Sequence, residues 1–480
     1  MPPRRCKIIA TVGPASRRQD VISALLDAGV DAFRLNFSYG SGDEHAEAVR
    51  LIRALAAQQG RPVAIIQDLP GAKIRLGKVP GGHFSLVADS LVTLAPRGAS
   101  QDSGLIPVDY PSLASAVRPG DRVLLGDGEV ALRVESVASG EIKARALTPG
   151  LVRDNQGVTL PDASLAEGAA TAKDLAHLEL GLQLGVDCVA LSFVRSGEEV
   201  RRVKEAIRRQ GGRARVIAKL ERREAVDHLE EILAVAHGLM VARGDLGLQL
   251  PLEEVPLLQK RIIRAANRRG IPAITATQML ESMIKSPRPT RAEASDVANA
   301  VLDGTDAVML SAETAVGEHP VEAVRVMDRI VVEAEREPPA RHRETLRLAQ
   351  PHSMARAAAQ VAEDVGARAI VVFTRSGYSA RLMSAERPRV PVLALTADVA
   401  VGRQMALLWG ITPIVTDFPI SADDTMERTE PTMLTDGLLR AGDTVVVVRW
   451  SPRRGGRWDN FVKLHKVGSA TKGPGSASLP

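Results

Sequence analysis

Eight short apolar runs rich in β-branched residues recur along the first two-thirds of the chain. They are "KIIATVG" (7–13), "AFRLNFS" (32–38), "VAIIQDL" (63–69), "CVALSFV" (188–194), "VIAKLE" (216–221), "GLMVARGD" (238–245), "PAITATQ" (272–278) and "AVMLSAE" (307–313). Between them lie stretches such as "RRQDVISALLDAG" and "EEVPLLQKRIIRAANRRG", apolar at helical spacing and closed by glycine. Strands alternating with helices build a parallel sheet, and eight is the number that closes a (β/α)8 TIM barrel. An open doubly wound sheet is the alternative that shares this alternation.

The chain has 480 residues, more than one core accommodates. The connection after the third run is anomalous. "HFSLVADSLVTLAP", "GDRVLLGDGEVALRVESV" and "GEIKARALTPG" read as short strands and turns, which predicts an inserted all-β domain over residues 72–157. The barrel then comprises 1–71 and 158–337. A Pro/Arg-rich hinge, "PPARHRE" (338–344), precedes a second βα pattern, which predicts a C-terminal α/β domain over 345–467. The tail 468–480 is rich in Gly, Ser and Pro and reads as disordered.

Composition narrows the function. Aromatics are 3%, so the cores are aliphatic. Sixty-two Lys and Arg against 57 Asp and Glu give a net charge of +5, a small excess that suits anionic small molecules. No basic run interleaved with aromatics suggests nucleic acid. Cys6 and Cys188 both lie in apolar strand-like stretches and read as buried thiols rather than a disulfide or metal site. "MPPRRCKIIATVG" runs straight into a strand, and no apolar run approaches transmembrane length, so a cytoplasmic protein is expected.

The strand ends carry the chemistry. On a strand, side chains alternate between faces. Phe33, Leu35 and Phe37 therefore share one face and Arg34, Asn36 and Ser38 the other. Strand three ends at Asp68 and strand four at Ser192. Strand five carries Lys219 and Glu221 two apart, strand six ends at Asp245, strand seven carries Thr275 and Thr277, and strand eight ends at Glu313. In a barrel these ends share one rim, where active sites lie. A single such residue is a helix cap or a solvated group, the Lys219–Glu221 pair has a purely structural reading, and the "RGD" at 243–245 is a common tripeptide; the set together points to function. Glu221 and Asp245 are hard oxygen donors that suit Mg2+ or Mn2+ with open positions. Arg34 and Lys219 suit a phosphate. Neither GxxxxGK[ST] nor GxGxxG occurs, so a nucleotide would be held by other loops.

The long stretch "ATQMLESMIKSPRPTRAEASDVANAVLDGTDAVMLSAETAVGEHPVEAV" (276–324) closely resembles the signature of the pyruvate kinase family. "KIIATVGPAS", "RLNFSYG", "VIAKLERRE" and "VARGDLGLQLPLEEVPLLQK" resemble it too, and the likeness runs from Lys7 to about Val467. The resemblance implies phosphoryl transfer from phosphoenolpyruvate to ADP, giving pyruvate and ATP, by a homotetramer. It implies that Lys219 stabilises the transferring phosphoryl group and that Arg34 binds phosphate. Glu221 and Asp245 would hold Mg2+, and Ala242, Arg243, Gly244 and Thr277 the substrate carboxylate. Thr277 lies where the enolate is protonated, and Asn36, Arg75 and Lys173 are placed at the nucleotide.

Departures from the family pattern carry expectations of their own. Asn36, Ser38 and Asp68 match ligands of K+, but Lys73 stands where K+-dependent members carry an acidic residue. Its ammonium would replace the ion, so K+ is expected not to be required. Leu69 and Pro70 replace the more usual Thr-Lys. In the C-terminal domain, Thr374, Arg375, Ser376, Gly377 and Ser379 match a loop that holds an effector sugar phosphate. "RWSPRRGGRW" (449–458), with Arg453, Arg454 and Arg457, falls near a second effector loop with poorly matching spacing. The expected effector is a sugar phosphate or a nucleotide; a helix cap beside a solvated basic loop is the bland alternative. Rival readings are a Mg2+-dependent aldolase on the same barrel and an inactive metabolite-binding relative.

Overall fold

A computed structural model describes residues 4–96, 105–126, 128–163, 168–337, 350–417, 425–452 and 458–468. The hinge 338–344, Arg453, Arg454, Arg457 and all but the first residue of the tail lie outside these.

The eight expected runs form eight parallel strands: β1 (Lys7–Val12), β2 (Ala32–Asn36), β3 (Ala64–Leu69), β4 (Cys188–Leu191), β5 (Arg215–Leu220), β6 (Gly238–Ala242), β7 (Ala273–Ala276) and β8 (Ala307–Leu310). Each pairs with its sequence neighbours and β8 pairs with β1, so the sheet closes into a barrel and the open-sheet alternative falls away. The period-two alternation has a physical outcome. Phe33, Leu35 and Phe37 are buried in the layer between strands and helices. Ile9, Ala32, Ile66, Ile217, Met240 and Ile274 belong to a separate apolar cluster within the barrel, which Ala406 and Leu407 of the C-terminal domain join.

Between β3 and β4 the chain forms a six-stranded, mostly antiparallel sheet and a two-stranded ribbon around their own apolar cluster. The C-terminal sheet runs β11 (Ile411–Val415), β10 (Val392–Thr396), β9 (Ala369–Phe373), β12 (Thr444–Pro452), β13 (Trp458–Lys466). The first four strands are parallel and apolar clusters cover both faces. The sequence reading differs at the last pair. "RWSPRRGGRW" begins inside β12 and ends in β13, an antiparallel hairpin in which Arg449 pairs with Phe461 and Trp450 with Asn460. Its arginines and glycines signal a loop, while the cross-strand partners that make its flanks strands lie further along the chain.

A buried charge cluster ties the barrel's first turn together. Arg4 donates to Asp31 and Asp328, both at 2.8 Å, and Asp31 also accepts the Ile8 backbone N–H at 2.9 Å. Lys7 reaches the Ile411 carbonyl at 2.7 Å, joining barrel to C-terminal sheet. Burial alone would push the Asp31 carboxyl up, but Arg4 and Lys7 hold it below its ordinary value. Its stabilisation is therefore fully present above the unfolded carboxylate value of about 4 and drains as pH falls through the lower native one. Asp31→Asn should cost about 3 kcal/mol at pH 7. In urea melts, the gap between wild type and variant should narrow as the pH falls below about 4; a gap independent of pH would refute the assignment.

Candidate active site

The polar rim is built by register. Two residues beyond Ala32, Ile66 and Ile217, on the same face of each strand, stand Arg34, Asp68 and Lys219. Asp68 is buried and bridges the two cations. Arg34 Nε lies 2.6 Å from its Oδ2 and Lys219 Nζ 3.2 Å from its Oδ1. Burial would raise the Asp68 carboxyl, yet Lys219 and Arg34 hold it low. Lys219 also donates to Ser192 Oγ at 2.8 Å, and Ser192 donates in turn to the Leu69 carbonyl at 2.7 Å. Arg34 Nη1 donates to Thr11 Oγ1 at 3.2 Å. Its Nη2 has no partner among the described residues.

Glu221 follows one strand step after Lys219. Its Oε2 accepts the Phe193 N–H at 2.6 Å. Its Oε1 lies 2.9 Å from Lys219 Nζ but makes no hydrogen bond of good geometry, leaving a buried carboxylate oxygen unsatisfied. Burial pushes this carboxyl up, Asp245 adds to the push, and Lys219 opposes it. Lys219 itself, despite burial, is held protonated above its ordinary value by Asp68 and Glu221.

Asp245 sits in the helix Arg243–Gln249, which starts directly after β6. Its Oδ1 lies 3.7 Å from Lys73 Nζ, with side chains 29% and 39% exposed, a weakly held pair. Among the described residues the ion pair of Lys73 is with Asp245, not with Asp68. A divalent cation fits the donor set, because an unsatisfied buried Glu221 oxygen and a half-exposed Asp245 are hard donors burdened by like charge. No cluster of three or more His, Cys, Asp or Glu that could hold a metal occurs among the described residues, so the ion's remaining positions would fall to substrate and water.

Thr277 lies just past β7 with φ 67°, and Gln278 follows at 53°. Left-handed backbone at a threonine is costly and persists only when its surroundings hold it. Arg243 supplies that hold. Its Nη2 donates to the Thr277 carbonyl at 2.8 Å and the Gln278 carbonyl at 3.0 Å, while its Nη1 lies 2.6 Å from Asp296 Oδ2. The Thr277 hydroxyl accepts the Gly244 N–H at 2.9 Å and donates to the Ala276 carbonyl at 2.6 Å. Phe193 is the other rim residue at positive φ, 54°.

The remaining predicted residues are more dispersed. Asn36 Oδ1 accepts the Ser38 N–H at 3.0 Å, closing a turn after β2. Arg75 Nη1 donates to the Asn155 carbonyl at 3.1 Å where the chain enters the inserted domain. Lys173 is exposed in the first turn of the helix Ala172–Gln183. Thr374 and Ser379 are buried, Arg375 and Ser376 are exposed, and Gly377 at φ 78° caps the helix Tyr378–Ala385. Thr275, which the alternation places with Thr277, is instead buried and donates to Thr305 at 3.0 Å. Sequence reasoning gave Ser192 no role and passed over Thr11, Phe193 and Asp296. Period-two alternation from Val12 and Val194 could have flagged the rim; nothing local links Asp296 to Arg243.

Two family models match the chain: pyruvate kinase, barrel domain, over residues 3–324, and pyruvate kinase, alpha/beta domain, over 352–465. The chain is 45% identical to pyruvate kinase 2 of Synechocystis sp. over 452 residues, 93% of this chain and 76% of that one. It is 42% identical to a pyruvate kinase of Mycobacterium tuberculosis over 97% of this chain and 99% of the relative. A third match, a pyruvate kinase of Agrobacterium vitis, is 42% identical over 94% and 95%. A closed barrel with this rim and these matches defines a phosphotransferase. The chain belongs to the pyruvate kinase family. No helix among the described residues is long and apolar enough to cross a membrane.

Arg243→Lys keeps the charge but loses the fork that clamps Thr277 and Gln278. Turnover should fall by about 10²-fold from misplacement alone, with little change in the thermal midpoint. Steady-state kinetics beside a melting curve tests this, and an unchanged kcat would show that the clamp is not needed.

Proposed function

We propose that the rim transfers the phosphoryl group of phosphoenolpyruvate to ADP with the aid of Mg2+ (or Mn2+), without K+, and under control of a phosphorylated effector. The unsatisfied, buried Glu221 oxygen beside a charged Lys219 carries the reading. Glu221 and Asp245 would hold the ion, which as a Lewis acid supplies positive charge to substrate oxygens. Phosphoryl transfer asks mainly for positioning and charge neutralisation. Lys219, whose link to Glu221 lacks hydrogen-bond geometry, has a donor to offer the equatorial phosphoryl oxygens, and Arg34 has its free Nη2. Asp68 keeps both cations in place.

An ADP oxygen attacks phosphorus, the P–O bond to the enol carbon breaks, and pyruvate enolate is left to take a proton at carbon. Thr277, fixed between Gly244 and Ala276, is the hydroxyl placed to organise that proton with water. The turn Ala242–Gly244 receives the substrate carboxylate, and Asn36, Arg75 and Lys173 serve the nucleotide. The effector reading rests on Thr374, Arg375, Ser376, Gly377 and Ser379, a tight turn leading into a helix. The homotetramer and the cytoplasmic setting belong to the same reading. Leu252 and Leu257, 74% and 70% exposed, mark a face suited to a subunit contact.

Lys219→Met should lower kcat/KM for pyruvate formation by about 10³-fold or more while leaving the fold intact, since it removes charge at the transferring group. Retained activity would dismiss the assignment of Lys219. For K+, the supporting observation is the Lys73 ammonium 3.7 Å from Asp245 at the rim. Wild type should run at equal rates with and without K+, and Lys73→Glu should become strongly K+-activated. A many-fold K+ response in the wild type would end this part of the proposal.

A further inference from the structure

Two consecutive residues beyond β4 hold two side chains of β5. Ser192 accepts from Lys219 at 2.8 Å, and the Phe193 N–H donates to Glu221 Oε2 at 2.6 Å. The second contact bears on the chemistry, because a glutamate turns about three side-chain bonds and its neighbour here is a lysine. Glu221 Oε1 already lies 2.9 Å from Lys219 Nζ. With no donor on Oε2, the carboxylate would be free to turn both oxygens towards that ammonium. The Phe193 N–H fixes one oxygen and leaves the other for a cation.

That N–H is aimed by an unusual backbone. Phe193 has φ 54°, a left-handed conformation that a bulky residue keeps only when its surroundings hold it. Two neighbours hold the ring. On one side, the Arg222 guanidinium carbon lies 5.2 Å from the ring centroid. Arg222 is buried, its Nε has no hydrogen-bond partner, and it has no ion pair among the described residues, so a cation–π contact takes the place of a salt bridge. On the other side is Gly71, two residues past β3. A Cβ at Gly71 would lie 2.9 Å from Phe193 Cδ2 and 3.2 Å from the Ser192 Cβ, so the ring fits only against a glycine.

Gly71 also sits at a junction. The chain enters the inserted domain just after it, and its N–H donates to Asp174 Oδ1 at 3.0 Å. Asp174 is buried in the first turn of the helix Ala172–Gln183, where the chain has returned from that domain. The outgoing and returning segments are tied at the point on which the Phe193 ring rests. We propose that Phe193 is a positioning residue: seated between Arg222 and Gly71, it presents its N–H to Glu221 and so sets the affinity of the rim for a divalent cation. The inference rests on the reading that Glu221 holds that cation. A shift of the inserted domain that displaces Gly71 would then reach Glu221 through one aromatic ring and one hydrogen bond.

Mn2+ is the probe. Its binding to the full-length protein, followed by electron paramagnetic resonance without substrate, should weaken by about tenfold or more in Phe193→Ala. Phe193→Tyr should keep most of the wild-type affinity. Arg222→Met, which removes the cation and keeps the bulk, should weaken binding by about threefold, and it carries the test if Phe193→Ala does not fold. In assays of pyruvate formation by Phe193→Ala, the Mg2+ concentration for half-maximal rate should rise by more than kcat at saturating Mg2+ falls. Gly71→Ala should weaken Mn2+ binding by pushing the ring, and this effect should disappear in the Gly71→Ala/Phe193→Ala double variant. Wild-type Mn2+ affinity and Mg2+ dependence in Phe193→Ala, beside a lower kcat or melting midpoint, would reduce Phe193 to packing and overturn the proposal. Additive effects in the double variant would overturn the link through Gly71. Glu221→Gln separates the two readings. If it also leaves Mn2+ binding unchanged, Glu221 is not the ligand and the underlying reading fails; if it abolishes binding while Phe193→Ala does not weaken it, only the positioning role fails.

Discussion

Inside the barrel mouth, Arg34 and Lys219 stand on strands that are not neighbours, and each would repel the other across a poorly solvated space. Asp68, on β3 between them, accepts from both. Because a buried charge is tolerated only when paired and hydrogen-bonded, this carboxylate is the condition for having two cations at the rim at all. Ser192 and Thr11 complete the hydrogen bonding around the pair. The rest of the site is arranged about that paired core, which keeps one net positive charge. Glu221 adds the second negative charge, which balances the two cations, and its Oε1 is left without a hydrogen-bond partner.

The two ends of the barrel differ in electrostatics. At the rim, Asp68, Glu221, Asp245 and Asp296 pair with Arg34, Lys219, Lys73 and Arg243. At the floor, Lys204, Arg215 and Arg381 line a cavity that no carboxylate lines among the described residues. Between the two lies an apolar plug of inward side chains, sealed by Ala406 and Leu407. One strand, β5, runs through all three zones with Arg215, Ile217 and Lys219 on one face.

Within the barrel, left-handed backbone at non-glycine positions falls at the rim among the described residues. Phe193, Thr277 and Gln278 adopt positive φ directly after β4 and β7. Arg243, bound to Asp296, holds the second of these loops. A resting structure keeps such conformations only when neighbours over-determine them, and here the neighbours are side chains committed to that task.

Local pattern alone settled the eight strands, their inward and outward faces and the inserted and C-terminal units, because strand alternation and helical spacing are written in consecutive residues. It also marked Arg34, Asp68, Lys219, Glu221 and Asp245, since closing the barrel brings the C-terminal ends of all strands to one rim. Tertiary structure alone decided who meets whom. Asp296 reaches Arg243 from a helix far along the chain, Lys73 meets Asp245 across the entrance of the insert, and β13 completes a hairpin that the intervening arginines disguise. The cation-rich cavity is likewise absent from any single segment. It exists because two domains bring Lys204, Arg215 and Arg381 together, and contact between residues distant in sequence leaves no periodicity to read.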